Sequence, residues 1–237
     1  MEERKDWTET AGAANDTEAL QRVFLLGVRY AFAPGKVVAT VGRNARLSQD
    51  SNAVLAITTA YSSILAALIR GDKLDDRITE KLLTLVKAGQ LPFHVDKGPD
   101  AADPDVDYRT LELFPSPDSL ITIRDIARAA KDPGVVIEPA WKAAQVYGLS
   151  CAIYHQIPAV YYLATRFSDD YEQAVLHALN GGGQNLSRAS LTGALVGAQV
   201  GLGGIPKRFL DGLEGYQEIR TLAEKLGEDV ARDAGSV

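Results

Sequence analysis

Between Asn52 and Ile69 the chain runs NAVLAITTAYSSILAALI, with no charged side chain anywhere in the stretch. A run of that length and apolarity has two outcomes: a helix crossing a bilayer, or the central helix of a folded domain with neighbours on every side. Thr58, Thr59, Ser62 and Ser63 recur at three-to-four spacing and form a mildly polar stripe, which favours the buried helix. Such a helix needs others around it. Helical periodicity covers residues 17–32, 50–70, 74–87, 119–131, 139–147, 157–167, 169–179, 184–200 and 216–231, the first three closed by Pro34, Gly71 and Gly89. Only GKVVATVG, residues 35–42, reads as a strand, and it is too short and isolated to found a sheet. The expected fold is therefore all-α: a compact multi-helix bundle over residues 17–231, with a flexible segment at 1–16 and a flexible tail at 232–237. A Pro- and Asp-rich stretch at 95–107 reads as an acidic surface loop. Its Asp103, Asp105 and Asp107 alternate as in a calcium loop, but Tyr108 stands where glycine is required and no glutamate closes it.

With 237 residues, 46% of them hydrophobic and 24% charged, the chain can bury the core of one large domain. A net charge of −6 argues against a sequence-independent grip on a phosphate backbone, so no nucleic acid is expected as a partner. Cys151 is the only cysteine, which rules out an intrachain disulfide and a cysteine metal cage. The opening MEERKDWTETAGAAND has no apolar core of the kind a signal peptide needs. A cytoplasmic setting without a membrane is the expectation.

Residues 178–215, ALNGGGQNLSRASLTGALVGAQVGLGGIPKRFLDGLEG, place Gly181, Gly182 and Gly183 ahead of a helix of small residues. Ala189, Gly193, Gly197 and Gly201 fall four apart, a face on which another helix can pack backbone to backbone. The glycines before the helix lie where N–H groups are unpaired and the dipole is positive, which suits an anion such as a diphosphate. A tight interhelical turn gives the same letters, so both readings stay open. Cys151 and His155, four apart, would share a helix face as a thiolate pair, although a lone cysteine is ordinarily a small buried hydrophobe. His94 and His177 show no metal spacing. Lys207 and Arg208 either start a solvated helix or rim the glycine turn and meet phosphate. H-E-x-x-H, G-x-S-x-G and P-loop motifs are absent.

The order YEQAVLHALNGGG, LTGALVGAQVGLGGIP, KRFLDGLEG, with RLSQDSNAVLAITTAYSSILAALIRG at 46–71 and SCAIYHQIPAVYYLATRFSDDYEQAV at 150–175, resembles the ADP-ribosylglycohydrolase family from about Leu20 onward, in particular its crystallin-J branch. The resemblance implies an all-α fold. It also implies that active members bind magnesium through carboxylates and hydrolyse the N- or O-glycosidic bond between ADP-ribose and an acceptor. The family motif after the glycines reads Gly-Asp-x-Asp-Ser/Thr; here Gln184 and Leu186 stand at the aspartate positions, Asn185 lies between them, and only Ser187 matches. Thr-His is common where this chain has Ser48 and Gln49. The upstream Thr-Asp-Asp segment has no counterpart, so the bundle is expected to lack the family's amino-terminal helices. The pairs Asp75-Asp76 and Asp169-Asp170 read instead as helix-start residues.

These matches and departures give a ligand-binding set of Gly181, Gly182, Gly183, Gln184, Asn185, Ser187 and Gln49, with Asp50 as the nearest catalytic carboxylate and no metal ligand. Two functions follow. One is a relative without dimagnesium chemistry that binds an ADP-ribose-like or other small ligand, or serves a structural role. The other is an active glycoside hydrolase with altered substrate or metal-independent chemistry. A bundle without its amino-terminal helices is further expected to self-associate or to take a partner protein through Ile57, Tyr61 and Leu65.

Overall fold

A computed structural model describes residues 11–93 and 118–235. Among the described residues 72% are helical, with eleven α-helices and no sheet. In chain order these are α1 (Glu18–Arg29), α2 (Pro34–Ala45), α3 (Asn52–Ile69), α4 (Ile78–Lys87), α5 (Asp118–Lys131), α6 (Ala143–Tyr147), α7 (Ile153–Arg166), α8 (Tyr171–Asn180), α9 (Asn185–Val200), α10 (Lys207–Asp211) and α11 (Tyr216–Ala234). The acidic stretch at 95–107, with Asp103, Asp105, Asp107 and Tyr108, lies outside the described residues, as does His94.

The uncharged run is the central helix. α3 packs against α1, α2 and α9 and touches α4, α5 and α7, and thirteen of its eighteen residues are buried. Three of the four hydroxyls in its polar stripe are satisfied within the helix: those of Thr59, Ser62 and Ser63 donate to the carbonyls of Leu55, Thr58 and Thr59 at 2.7, 2.9 and 2.8 Å, while the buried Thr58 hydroxyl has no partner among the described residues. Neighbouring helices therefore meet an effectively apolar surface on most sides. Tyr61 and Leu65 are 0% and 2% exposed, and the Tyr61 hydroxyl donates to the Leu191 carbonyl at 2.7 Å. Of the three residues of the expected docking face, Tyr61 and Leu65 thus belong to the chain's own core, while Ile57 is only partly buried and lines a pocket with Tyr154 and Pro158.

Close backbone approach does occur, but between α1 and α3. A Cβ on Gly27 would sit 2.7 Å from the Ser62 carbonyl oxygen. The glycine face of α9 is filled differently, because a Cβ on Gly193 would meet the Tyr171 hydroxyl at 3.1 Å and one on Gly197 the Tyr171 ring at 3.7 Å. An aromatic side chain from α8, not a second backbone, uses that groove.

Two elements depart from their sequence reading. Residues 35–42 are helical within α2, which buries Val37, Val38, Val41 and Ala45 at helical spacing. Pro34, read as a stop for the preceding helix, is a first-turn residue of α2, where its missing N–H costs nothing. α7 begins at Ile153 and carries Pro158 inside it, which costs the bond to the Tyr154 carbonyl but leaves the helix continuous. The folded body also reaches beyond residues 17–231. Gly12 N–H donates to Ser48 at 3.0 Å, Asp50 N–H to Gly12 at 2.8 Å and Ile153 N–H to Asn15 at 2.7 Å, and Asp233 pairs with Arg29 at 2.5 Å.

Candidate functional site: four helix starts at one end

The starts of α1, α3, α7 and α9 converge. Asp16 bridges to Ala152 and Gly12 to Gln49 as isolated backbone pairs. Thr17 and Ser187 share a hydroxyl–hydroxyl hydrogen bond of 2.7 Å. Ser51 donates to the Asn15 side-chain oxygen at 2.6 Å, and Gln184 N–H to the Leu149 carbonyl at 3.1 Å. None of the four helices is capped by the side chain of its own N-cap residue. Four positive dipole ends therefore point toward one region of the surface.

Gln49 joins two of these starts. Its side-chain oxygen accepts from Ala19 N–H at 2.7 Å, capping α1, while its amide donates to the Ala14 carbonyl at 2.9 Å and to Asp16 Oδ1 at 3.0 Å. Gln49 is only 2% exposed and Ser187 is fully buried, so both brace the end from inside. The outward-facing members of the candidate set are Gly182, Gly183, Gln184, Asn185 and Asp50.

The glycine turn has distinct causes at its three positions. Gly182 and Gly183 take φ of +71° and +60°, which side-chain-bearing residues rarely adopt. A Cβ on Gly183 would lie 2.3 Å from the Leu149 carbonyl oxygen, and one on Gly181 would lie 2.6 Å from Ala144 Cβ. A Cβ on Gly182 would meet nothing within 4 Å. Tight packing thus accounts for Gly181 and Gly183, whereas Gly182 faces open space.

Beneath this turn lies Arg188, fully buried on the first turn of α9. Its guanidinium donates to the carbonyls of Ala178 and Gly182 at 2.9 and 2.5 Å and to Gln156 Oε1 at 3.2 Å. Among the described residues no carboxylate pairs with it. Burial lowers its pKa from the usual arginine value, the direction expected for a desolvated cation. A hydrogen-bonded but charge-unpaired guanidinium adds positive potential to the helix starts. An arginine within the run of small and apolar residues 186–196 was the signal available in the sequence.

Three carboxylates reach this end, one of them Glu18 in the first turn of α1, which pairs with Arg22 at 3.6 Å. Asp16 Oδ1 accepts from Glu18 N–H at 2.9 Å and from Gln49. Asp50 is paired with Arg46 at 2.8 Å, its side chain 52% exposed. Among the described residues no three His, Cys, Asp or Glu side chains are placed to hold a metal ion. At the positions where the family resemblance expects aspartates stand an exposed neutral amide, Gln184, and an exposed Leu186. This donor set does not fit a pair of magnesium ions, which require several oxygen ligands with charge among them.

Other expected groups lie elsewhere. Cys151 is exposed in a bend ahead of α7, while His155 lies within α7 and shares a 2.7 Å hydrogen bond with Ser150; they form no pair on one helix face. Lys207 pairs with Asp211 at 2.6 Å, and Arg208 pairs with Glu172, in the first turn of α8 and at the far end of that helix from Gly181. These two cations do not rim the glycine turn. His177 stacks on Phe167 at 5.0 Å. Asp170 caps α8 by accepting from Gln173 N–H at 3.0 Å, and Asp75 accepts from Arg77 N–H at 2.9 Å just ahead of α4.

An all-α bundle with a carboxylate-poor end built from helix starts and a glycine turn is the class of protein that fold and site define. The chain belongs to the ADP-ribosylglycohydrolase family, which it matches over residues 1–235. The likeness therefore extends upstream of Leu20. It is also similar to an uncharacterised protein of Archaeoglobus fulgidus, 27% identical over 225 residues that cover 94% of this chain and 61% of that protein. The chain thus spans about three-fifths of the length of that relative.

Proposed function

We propose that this chain binds an anionic, ADP-ribose-like ligand at the four converging helix starts and does so without the dimagnesium hydrolase chemistry of active family members. The observation that carries this reading is the charge balance of the end: four helix starts and the buried Arg188 guanidinium face three carboxylates, Asp16, Glu18 and Asp50, and each of the three is already engaged. The positive potential of helix starts favours phosphate oxygens. Gly182, with open space in front of its backbone, is where such an oxygen can approach.

The enzyme reading rests on Asp50. Its carboxylate is held by Arg46 and half exposed beside the helix starts, the placement of a group able to accept a proton from water. Thermal melting with ADP-ribose separates the readings. In EDTA, saturation at 100 times Kd stabilises the fold by about 2.7 kcal/mol, or roughly 5–10 °C for a chain of this size. Magnesium adds nothing to that shift, and no ADP-ribose is released from an ADP-ribosylated peptide. Protection that requires magnesium, or turnover abolished by Asp50→Asn, overturns the proposal in favour of the hydrolase.

A further inference from the structure

One helix is only half seated. The apolar stripe of α11 is Ile219, Leu222, Leu226 and Val230, at spacings of three, four and four. Leu226 and Val230 pack with Val23, Val37 and Val41 of α1 and α2 in a second apolar cluster, and the Arg29–Asp233 pair fixes that end of α11. The same stripe then continues into solvent: Ile219 and Leu222 are 47% and 61% exposed, and Leu213 just ahead of the helix is 45% exposed. Beside the seat, α1 and α2 form an open groove of about 330 Å³ lined by Leu26, Tyr30, Thr40, Arg43, Asn44 and Leu47. Leu47 there is 49% exposed.

We infer that the free half of α11 docks into the α1–α2 groove of a second copy of this chain, reciprocally about a two-fold axis. Continuity and charge name the occupant. The α1–α2 surface already receives the carboxyl-terminal half of this same stripe within the chain, so its shape and apolar character suit the remainder. With the internal pairs Arg22–Glu18, Arg29–Asp233, Arg46–Asp50, Lys207–Asp211 and Arg220–Glu224 set aside, residues 18–49 keep Lys36 and Arg43, whereas the free half of the helix and its lead, residues 211–222, keep Glu214 and Glu218. The surfaces to be joined are therefore of opposite sign, which steers and orients the encounter. One ten-residue helical segment spans only about 15 Å. A reciprocal exchange makes that contact twice, which is how so short a segment approaches the size of a stable interface.

Sedimentation velocity of the whole chain across a concentration series tests this. Dimer is expected to grow with concentration up to on the order of 100 µM. Leu222→Glu, at an exposed position that leaves the fold intact by circular dichroism, weakens association at least about tenfold. Arg43→Glu on the groove does the same, and Glu218→Arg added to Arg43→Glu restores part of the loss by swapping the charges. A chain that stays monomeric throughout the series, or a dimer indifferent to both single substitutions, overturns the inference. In the first case the stripe belongs to a different partner, in the second to a different face.

Discussion

Gln49→Ala separates a brace from a ligand contact. The side chain makes bonds at both ends of its amide, and the substitution leaves Ala19 N–H, on a fully buried residue in the first turn of α1, with no acceptor. An orphaned buried donor costs about 1–3 kcal/mol. The Ala14 and Asp16 acceptors lie nearer solvent and recover part of their loss from water, so the sum is about 2–4 kcal/mol. For a chain of this length that lowers Tm by roughly 4–16 °C. Gln49→Glu is the companion variant. It keeps the acceptor facing Ala19 N–H but turns the donor end into an oxygen facing Ala14 and the Asp16 carboxylate. That proximity and burial raise the pKa of the introduced group above its unfolded value. Its destabilisation is then present at neutral pH and shrinks as pH falls through the raised pKa. Differential scanning calorimetry from pH 4 to 8, with and without ADP-ribose, reads both effects. If Gln49→Ala melts within a degree of the parent and yet loses ADP-ribose protection, the residue touches ligand and the bracing argument is wrong.

Two further outcomes follow from the geometry. Gly183→Ala, whose Cβ would lie 2.3 Å from the Leu149 carbonyl oxygen at φ +60°, should cost about 2–4 kcal/mol in urea unfolding, whereas Gly182→Ala, with open space at its Cβ, should cost only about 1 kcal/mol; equal costs would refute the division of labour in the turn. The Asp233 pKa is lowered, chiefly by the hydrogen bond from Arg29 and then by the charges of Arg29, Lys36 and Arg232 against an opposing desolvation. Its contribution is therefore complete above the ordinary carboxyl pKa and is lost as pH falls through the depressed one. The exchange protection factors of residues 226–234, corrected for the intrinsic rate, should fall under those acid conditions before those of α3, and a uniform fall would refute the assignment.

Helical periodicity was legible because most helices bury one face, and α3, α9 and α11 lie within a few residues of their expected bounds. α2 was hidden because its valines read as β-formers between glycines, and only the tertiary contacts of Val37, Val38 and Val41 decide the matter. The start of α7 was hidden by Pro158, a residue that breaks isolated helices but is tolerated where packing holds the helix on both sides. At the site, the glycine turn was visible as letters, but its partner Leu149 lies 34 residues upstream of Gly183 and no local rule joins them. Gln49 was singled out by family resemblance and Arg188 was passed over. Its role depends on three acceptors brought together from α7, α8 and the turn.

Gln184, the N-cap of α9, and Leu186, on its first turn, are the positions where aspartates are expected; both face outward, and Leu186 is 70% exposed. Neither supports the core, so exchanging them is nearly free of folding cost. Metal chemistry at this end is then an interchangeable fitting: two surface substitutions could remove or install carboxylates while every helix keeps its place. The less interchangeable part is Arg188, because a doubly charged ion held above the turn would be repelled by the cation buried beneath it.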